Sequence, residues 1–228
     1  MTPTIIAIDG PAASGKSTIG ELLAKKLGYL YFDTGVMYRA ITAVALNHHL
    51  AISDENAITE LAEQVQIDIL PPDQNDGRQY TIRADARDLT WEIRQRDVDA
   101  NVSTVSTYRG VRAAMKSQQR RVGERGRVVM VGRDIGTVVF PDADLKIYLD
   151  ASEDERARRR HRERIARGER VDFENVLQEI RKRDEIDSTR SVAPLKKADD
   201  AVMVDSTGLS IDDVLARVLE IVERSARG

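Results

Sequence analysis

Residues Gly10-Pro-Ala-Ala-Ser-Gly-Lys-Ser17 fit the pattern G-x-x-x-x-G-K-[ST], and no other stretch limits the possible folds so tightly. The pattern becomes a phosphate-binding loop only when a strand runs into it and a helix runs out of it. Both signals are present. Thr4-Ile-Ile-Ala-Ile8 is a short, apolar, β-branched run expected as a buried strand. Beyond the loop, Ile19, Leu22, Leu23 and Leu27 recur at i, i+3, i+4 and i+8, and Gly28 stands where a glycine ends a helix. Gly10 and Gly15 let successive N–H groups turn inward as an anion nest, and the helix start adds the positive end of its dipole. Lys16 can then reach the β- and γ-phosphates, and the Ser17 hydroxyl can take a Mg²⁺ position.

The rest of the chain alternates strand and helix signals. Tyr29–Phe32 is a second strand, ending in the polar turn Asp33-Thr34-Gly35. A helix follows with Met37, Ile41, Val44 and Ala45 on one face and Tyr38 and Arg39 near its start. Ser53 can cap a further helix carrying Ile58, Leu61, Ala62 and Val65. The texture then changes: Val65–Leu70 alternates with period two, Pro71–Gly77 is a turn cluster, and Tyr80–Arg83 is extended. This reads as a small antiparallel hairpin inside a lobe spanning residues 35–107. Residues 1–34 and 108–228 are expected as the core. Glu92–Thr107 is polar and mixed, with hydroxyls at Ser103, Thr104, Ser106 and Thr107, and Tyr108–Arg125 is a basic helix leading back to the sheet. Core strands are expected at Arg127–Val131, Asp144–Leu149 and Ala201–Val204, and a last helix starts at Ser210. Such alternation predicts a three-layer α/β fold with a five-stranded parallel sheet. Its strand-end turns, at 10–17, 33–35, 132–136 and 150, then share one edge, where open parallel sheets bind ligands.

Composition removes several classes of function. The net charge of −3, from 35 basic and 38 acidic residues, argues against a nucleic-acid partner. There is no cysteine, so disulfides and cysteine-bound zinc are excluded, and a cytoplasmic setting is expected. Neither a basic leader nor a run of 18 apolar residues occurs, so no signal peptide and no membrane span are expected. A guanine-binding switch would need Asn-Lys-x-Asp, which is missing; Asp205-Ser-Thr-Gly208 comes too late to be its other motif.

From Arg156 to Arg170 there are eight arginines and only Glu163 and Glu169 as acids. A solvated helix face or a nucleic-acid-binding helix would each account for some of this. A mobile lid over residues 152–170, closing on nucleotide phosphates, accounts for more, because the segment follows a core strand and lacks interleaved aromatics. Downstream, Arg183, Asp187 and Arg190 share one face of a helix, either as an exposed ion-pair ladder or as ligands.

Taken together, Ile8–Pro11 with Gly15–Ser17, Asp33–Gly35 with Tyr38 and Arg39, Gly132–Asp142 and Arg190–Leu195 closely resemble bacterial cytidylate kinases, nearly end to end. The resemblance implies phosphoryl transfer from ATP to CMP or dCMP with Mg²⁺, by a monomer built of core, nucleotide-monophosphate lobe and arginine lid. It implies that Gly10, Pro11, Ala12, Ala13, Ser14, Gly15, Lys16, Ser17 and Thr18, with Arg159 of the lid, hold ATP. It implies that Arg39, Arg133 and Arg183 grip the acceptor phosphate and, with Lys16, serve catalysis. Thr34 and Tyr38 would line the acceptor site, Ser103, Arg112 and Asp134 would read cytosine, and Asp187 and Arg190 would contact the ribose side. Asp134 suits base reading, since a carboxylate accepts from cytosine's amino group and repels the carbonyl of uracil. One departure concerns the metal. The strand at 127–131 runs into Gly132 without a terminal carboxylate, which leaves Asp9 or Asp134, acting through water, to support Mg²⁺ beside Ser17.

Overall fold

The computed structural model describes residues 2–70 and 72–227. In chain order its elements are β1 (Ile5–Asp9), α1 (Lys16–Leu27), β2 (Leu30–Asp33), α2 (Gly35–Asn47), α3 (Glu55–Gln64), β3 (Ile67–Leu70), β4 (Thr81–Ala84) and β5 (Arg87–Asp88). There follow α4 (Arg96–Val105), α5 (Arg109–Gly123), β6 (Val128–Gly132), β7 (Leu145–Asp150), α6 (Glu153–Ala166), α7 (Phe173–Thr189), β8 (Val202–Asp205) and α8 (Ile211–Arg227). A 3₁₀ turn occupies Glu92–Arg94 and a π-helical turn Ile135–Val139. The chain divides into two compact units, Met1–Asp33 with Arg125–Gly228, and Thr34–Glu124.

The first unit holds the expected five-stranded sheet, in the order β2-β6-β1-β7-β8 with every pairing parallel. Register places Ile6 beside Val129 and Leu145, and Ile8 beside Val131 and Ile147. Central strands of a doubly covered parallel sheet bury both faces, which is why β1 and β6 read as unbroken apolar runs. Ile6, Ile8, Val129 and Leu149 are fully buried, packed with Ile19 and Leu23 of α1 and Val214, Val218 and Val222 of α8. Each such side chain stabilises the fold by about 1.5–3 kcal/mol of transfer free energy. Gly28 ends α1 in the left-handed conformation, its N–H bonded to the Ala24 carbonyl, and the Ser210 hydroxyl caps α8 through the Asp213 N–H.

The second unit combines α2 to α5 with the antiparallel sheet β3-β4-β5. The hairpin is as expected, with Ile67 opposite Ala84 and Leu70 opposite Thr81, and the two-residue β5 extends it. Pro71, the first residue of the expected turn cluster, lies outside the described residues. The structure corrects three local expectations. Asp54, not Ser53, caps α3, its carboxylate accepting from the Ala57 N–H at 3.1 Å. The polar stretch 92–107 contains helix α4, whose Val98, Val102 and Val105 form a narrow buried stripe among Asp, Asn, Ser and Thr. Finally, α5 belongs with the inserted unit and not with the core. It packs against α3 so closely that a Cβ on Gly110 would lie 2.1 Å from Thr59, and Gln118 bonds both the Ile67 N–H and the Val65 carbonyl. The unit therefore ends near residue 124, not 107.

Candidate active site

The phosphate-binding loop connects β1 to α1 as its sequence predicts. Gly10 has φ 149°, and a Cβ there would lie 2.0 Å from the Leu149 carbonyl oxygen on β7, so only glycine fits. Ala13 and Gly15 also have positive φ, which curls the loop around its N–H groups. Lys16 is buried, with Nζ donating to the Pro11 carbonyl at 2.5 Å and the Ser14 hydroxyl at 3.2 Å. Burial, and then the nearby Arg133 charge, hold the Lys16 pKa well below the usual lysine range, while Asp33, Asp9 and Asp187 oppose them. An anion at this loop would relieve both pressures. Ser17 and Thr18 lie exposed at the start of α1.

The carboxylate beside Ser17 is Asp33. The Ser17 hydroxyl donates to Asp33 Oδ2 at 2.8 Å, joining the loop's end to the end of β2. Asp9 is engaged elsewhere, its oxygens accepting from the Ile135 and Gly136 N–H groups at 2.8 and 2.7 Å. Asp134 faces Arg190 at 3.6 Å. Among the described residues no group of three or more His, Cys, Asp or Glu side chains could hold a metal by itself. A hydroxyl and one carboxylate nevertheless suit Mg²⁺, which keeps most of its shell as water and phosphate oxygens.

Four expected acceptor residues of the first unit cluster. Arg133 Nε donates to Asp187 Oδ2 at 2.8 Å, Arg190 lies 3.7 Å from Asp187 Oδ1, and Arg190 also faces Asp134. Helix α7 runs to Thr189, so Arg183 lies one turn before Asp187 on the same face. Burial would raise the Asp187 pKa, but Arg133, Arg183 and Arg190 outweigh it and hold the carboxyl below its ordinary value. Burial likewise works against the Arg133 charge, and Asp187 more than compensates, raising its pKa. The shared face of α7, readable from sequence as an exposed ladder or as ligands, is a largely buried network of alternating charge.

In the second unit, Thr34 is buried at the start of α2. Arg39 bonds Asp99 on α4 and donates to the Ile93 carbonyl at 3.0 Å. Arg112 of α5 is buried, sits 5.4 Å from the Tyr38 ring centroid and donates to the Ser106 carbonyl at 3.0 Å. The Ser106 hydroxyl in turn donates to the Ser103 carbonyl at 2.8 Å. Tyr38, Ser103 and Arg112 are therefore neighbours within this unit, despite the weak patterning that separates them in sequence.

The arginine-rich segment splits in two. Arg156 is buried, paired with Asp184 at 2.7 Å and donating to the Ala151 and Ala12 carbonyls. Arg159 donates to the Ser14 carbonyl at 3.3 Å and to both oxygens of Ser206. These two brace the phosphate-binding loop through its Ala12 and Ser14 carbonyls. The more distal Arg160, Arg164 and Arg167 pair with Glu163, Glu169 and Glu179. The segment is thus better neutralised than its own composition suggests, because α7 supplies Asp184 and Glu179.

Two contributors went unread in the sequence. Asp33 reads in the sequence as a turn residue and as part of the family resemblance, with no metal role, since its closeness to Ser17 depends on sheet order. Ser206, whose hydroxyl donates to the Ser14 and Asp150 carbonyls at 3.1 and 2.9 Å, belongs to the Asp205–Gly208 stretch, which in sequence resembles only a misplaced switch motif.

The family model described as Cytidylate kinase matches residues 6–224. A cytidylate kinase from Carboxydothermus hydrogenoformans is 50% identical over 219 residues, covering 96% of this chain and 97% of that protein. One from Bacillus subtilis is 45% identical over 222 residues, 97% of each. The crystal structure of a gluconokinase from Sinorhizobium meliloti superposes with a TM-score of 0.50 at 17% identity, over 99% of this chain and 95% of that one, a likeness of fold alone.

Proposed function

The chain belongs to the cytidylate kinase family and transfers a phosphoryl group from ATP to CMP or dCMP, and from that premise we propose how its residues divide the work. Gly10–Thr18 hold the ATP phosphates, with Lys16 exchanging its Pro11 and Ser14 partners for phosphate oxygens. Arg133 and Arg183, with Arg39 of the inserted unit, bind the acceptor's phosphate. Asp134 accepts from the cytosine amino group. Asp187 and Arg190 orient this set and meet the ribose. Tyr38, Ser103 and Arg112 complete base recognition and Thr34 lines the acceptor site, a reading supported by the family resemblance and by the Tyr38–Arg112 contact.

The observation that supports the acceptor reading best is the cluster Arg133–Asp187–Arg190–Asp134. Two planar guanidinium groups held by one carboxylate are pre-oriented for a dianionic phosphate, and a buried Asp beside them is costly unless it has a task. The attacking oxygen belongs to an already ionised phosphate, so no general base is needed. Positioning and charge stabilisation suffice.

Mg²⁺ fits the oxygen donors of Ser17 and Asp33, with Asp33 in place of the Asp9 or Asp134 expected from the sequence. When bound, the ion neutralises charge shared by the β- and γ-phosphates. The distal arginines of 152–170 cover the donor side as a lid, while Arg159, tied to the Ser14 carbonyl and to Ser206, serves ATP from beside the loop. Among the described residues no helix is long and apolar enough to cross a membrane. We further take the protein to be cytoplasmic and without a nucleic-acid partner, in keeping with its lack of cysteine and net charge of −3, and take it to be a monomer.

Initial rates with CMP, dCMP, UMP and AMP test the acceptor reading in the wild type and in Asp134→Asn. The wild type should favour the cytidine nucleotides, and the variant should lose much of the CMP/UMP ratio in kcat/KM. An unchanged ratio removes Asp134 from base reading.

A further inference from the structure

Asp9 ends β1 immediately before the phosphate-binding loop, yet its carboxylate bonds the turn that follows β6. It is 5% exposed and accepts two backbone N–H bonds, from Ile135 at 2.8 Å and Gly136 at 2.7 Å. Those donors open the π-helical turn Ile135–Val139, whose N-terminal flank is Asp134 at φ −145°, ψ 25°. The turn closes with Val139 N–H on the Asp134 carbonyl and Phe140 N–H on the Ile135 carbonyl. Wide turns of this kind are rare and are found frequently at functional sites. Here the first two N–H groups after Asp134 have no carbonyl of their own turn to bond, and Asp9 satisfies both.

The opposite side of the turn is fixed as tightly. Lys146 on β7 is buried, its Nζ bonded to the Pro141 carbonyl and to Asp200, and its stem lies flat against Gly136. A Cβ on Gly136 would meet Lys146 Cδ at 3.1 Å, Cγ at 3.2 Å and Asp9 Oδ2 at 3.4 Å. The turn is therefore clamped between Asp9 and the Lys146 stem, and Arg133 and Asp134 project from its leading end.

We propose that Asp9 is a positioning residue for acceptor recognition: its carboxylate fixes the Ile135–Gly136 turn and so aims Arg133 and Asp134. The inference rests on the acceptor reading of Arg133 and Asp134 given above. It gives Asp9 a task on the CMP side of the reaction, separate from any metal support. A carboxylate is needed because both donors are N–H groups. Asparagine offers one oxygen and turns an amide N–H₂ toward the second donor, leaving it unpaired.

The experiment compares wild type, Asp9→Asn, Gly136→Ala and Asp134→Asn. Amide exchange at Ile135 and Gly136 is read together with steady-state kinetics for CMP, UMP and ATP. In Asp9→Asn, exchange at both amides should accelerate. kcat/KM for CMP should fall by roughly 100-fold, the scale of a misplaced positioning group. KM for CMP should rise, KM for ATP should hold, and the CMP/UMP ratio should narrow. Gly136→Ala keeps the charge beside Lys16 and should change the same quantities in the same direction by less. Unchanged exchange in Asp9→Asn overturns the proposal. So does faster exchange with an intact CMP/UMP ratio, or a defect confined to ATP, which would mean that Asp9 acts through Lys16. If Asp134→Asn also leaves the ratio intact, the acceptor reading itself has failed. If only Asp134→Asn changes it, that reading stands and Asp9 is not part of it.

Discussion

Asp33→Asn offers the sharpest test of how the donor side is built. The Ser17 hydroxyl lies 2.8 Å from Asp33 Oδ2. A hydrogen bond to a charged group contributes about 1.5–3 kcal/mol, and loss of a group that orients a metal ligand costs about 10–100-fold in metal affinity. The Mg²⁺ concentration for half-maximal rate, at saturating ATP and CMP, should therefore rise by roughly one to two orders of magnitude. A second effect should survive at saturating Mg²⁺. Asp33 is one of the charges that keep the Lys16 proton in place against burial and Arg133. Without it the Lys16 pKa falls further, so the residual kcat of the variant should improve as pH is lowered. The assay is a coupled ADP-release rate over a grid of free Mg²⁺ and pH. Ser17→Ala should affect the Mg²⁺ midpoint similarly, and the double variant should be far from additive, since both changes remove the same contact. A Mg²⁺ curve for Asp33→Asn that overlays the wild type would refute the assignment, and normal additivity with Ser17→Ala would refute the coupling.

Lys16→Ala should lower kcat by about 100-fold or more, with an unchanged circular dichroism spectrum, because the proposed role of Lys16 is on the transferring charge and its loop is braced by Arg156 and Arg159 independently. Arg156→Ala should lower unfolding free energy by about 3 kcal/mol, read by denaturant titration, because it strands Asp184 in a half-buried site and frees the Ala12 and Ala151 carbonyls. Burial raises the Asp9 pKa from 3.8 to about 6, against its two backbone bonds. The folded state therefore binds this proton more tightly than the unfolded state, and the stability linked to it is full below pH 4 and lost as pH rises through about 6. The wild type minus Asp9→Asn difference in unfolding free energy should fall by roughly 3 kcal/mol across that window. Arg78→Ala should lower the melting midpoint and shift the emission of Trp91, the single tryptophan. Arg78 ties Asp73, Asp76 and Asp88 together, and Asp76 accepts the Trp91 indole N–H at 2.8 Å.

What could be read directly from the sequence was whatever depends on neighbours in the chain. The loop 10–17, its flanking strand and helix, and the parallel sheet follow from local pattern, because buried parallel strands and amphipathic helices differ plainly in period. Arg183 and Asp187 could be placed on one face for the same reason. The misreadings share a different cause. Helix α4 hid because three valines are a thin stripe among residues that favour turns. Helix α5 reads as part of the core because its basic exposed face says nothing about the side it buries, and Gly110 against Thr59 is invisible until α3 is placed. Asp33 and Asp9 were both seen, and both were left without their true partners, because sheet order decides which strand ends meet.

That order explains the missing carboxylate after β6. Read across the sheet, the strands end in Asp33, Gly132, Asp9, Asp150 and Asp205. Four acids along the edge that binds triphosphate would repel the substrate if they were free. Each instead accepts from a nearby hydroxyl or N–H: Asp33 from Ser17, Asp9 from Ile135 and Gly136, Asp150 from Ala151, and Asp205 from Thr207. Their charge is spent on fixing turns, and the nearby cations Lys16, Arg133 and Arg159 offset it, Lys16 against Asp33 and Asp9, Arg133 against Asp33 and Arg159 against Asp205. β6 alone needs no acid of its own, because Gly132 lies in register beside Asp9, and that carboxylate reaches across to hold the turn β6 leads into. The neighbouring strand then decides where Arg133 and Asp134 point. On this view the Gly132–Asp142 block carries specificity only in company with residue 9. A chain with the block intact and a non-acidic residue at position 9 should keep the fold and lose discrimination between CMP and UMP, an outcome that acceptor kinetics on Asp9→Asn would reveal.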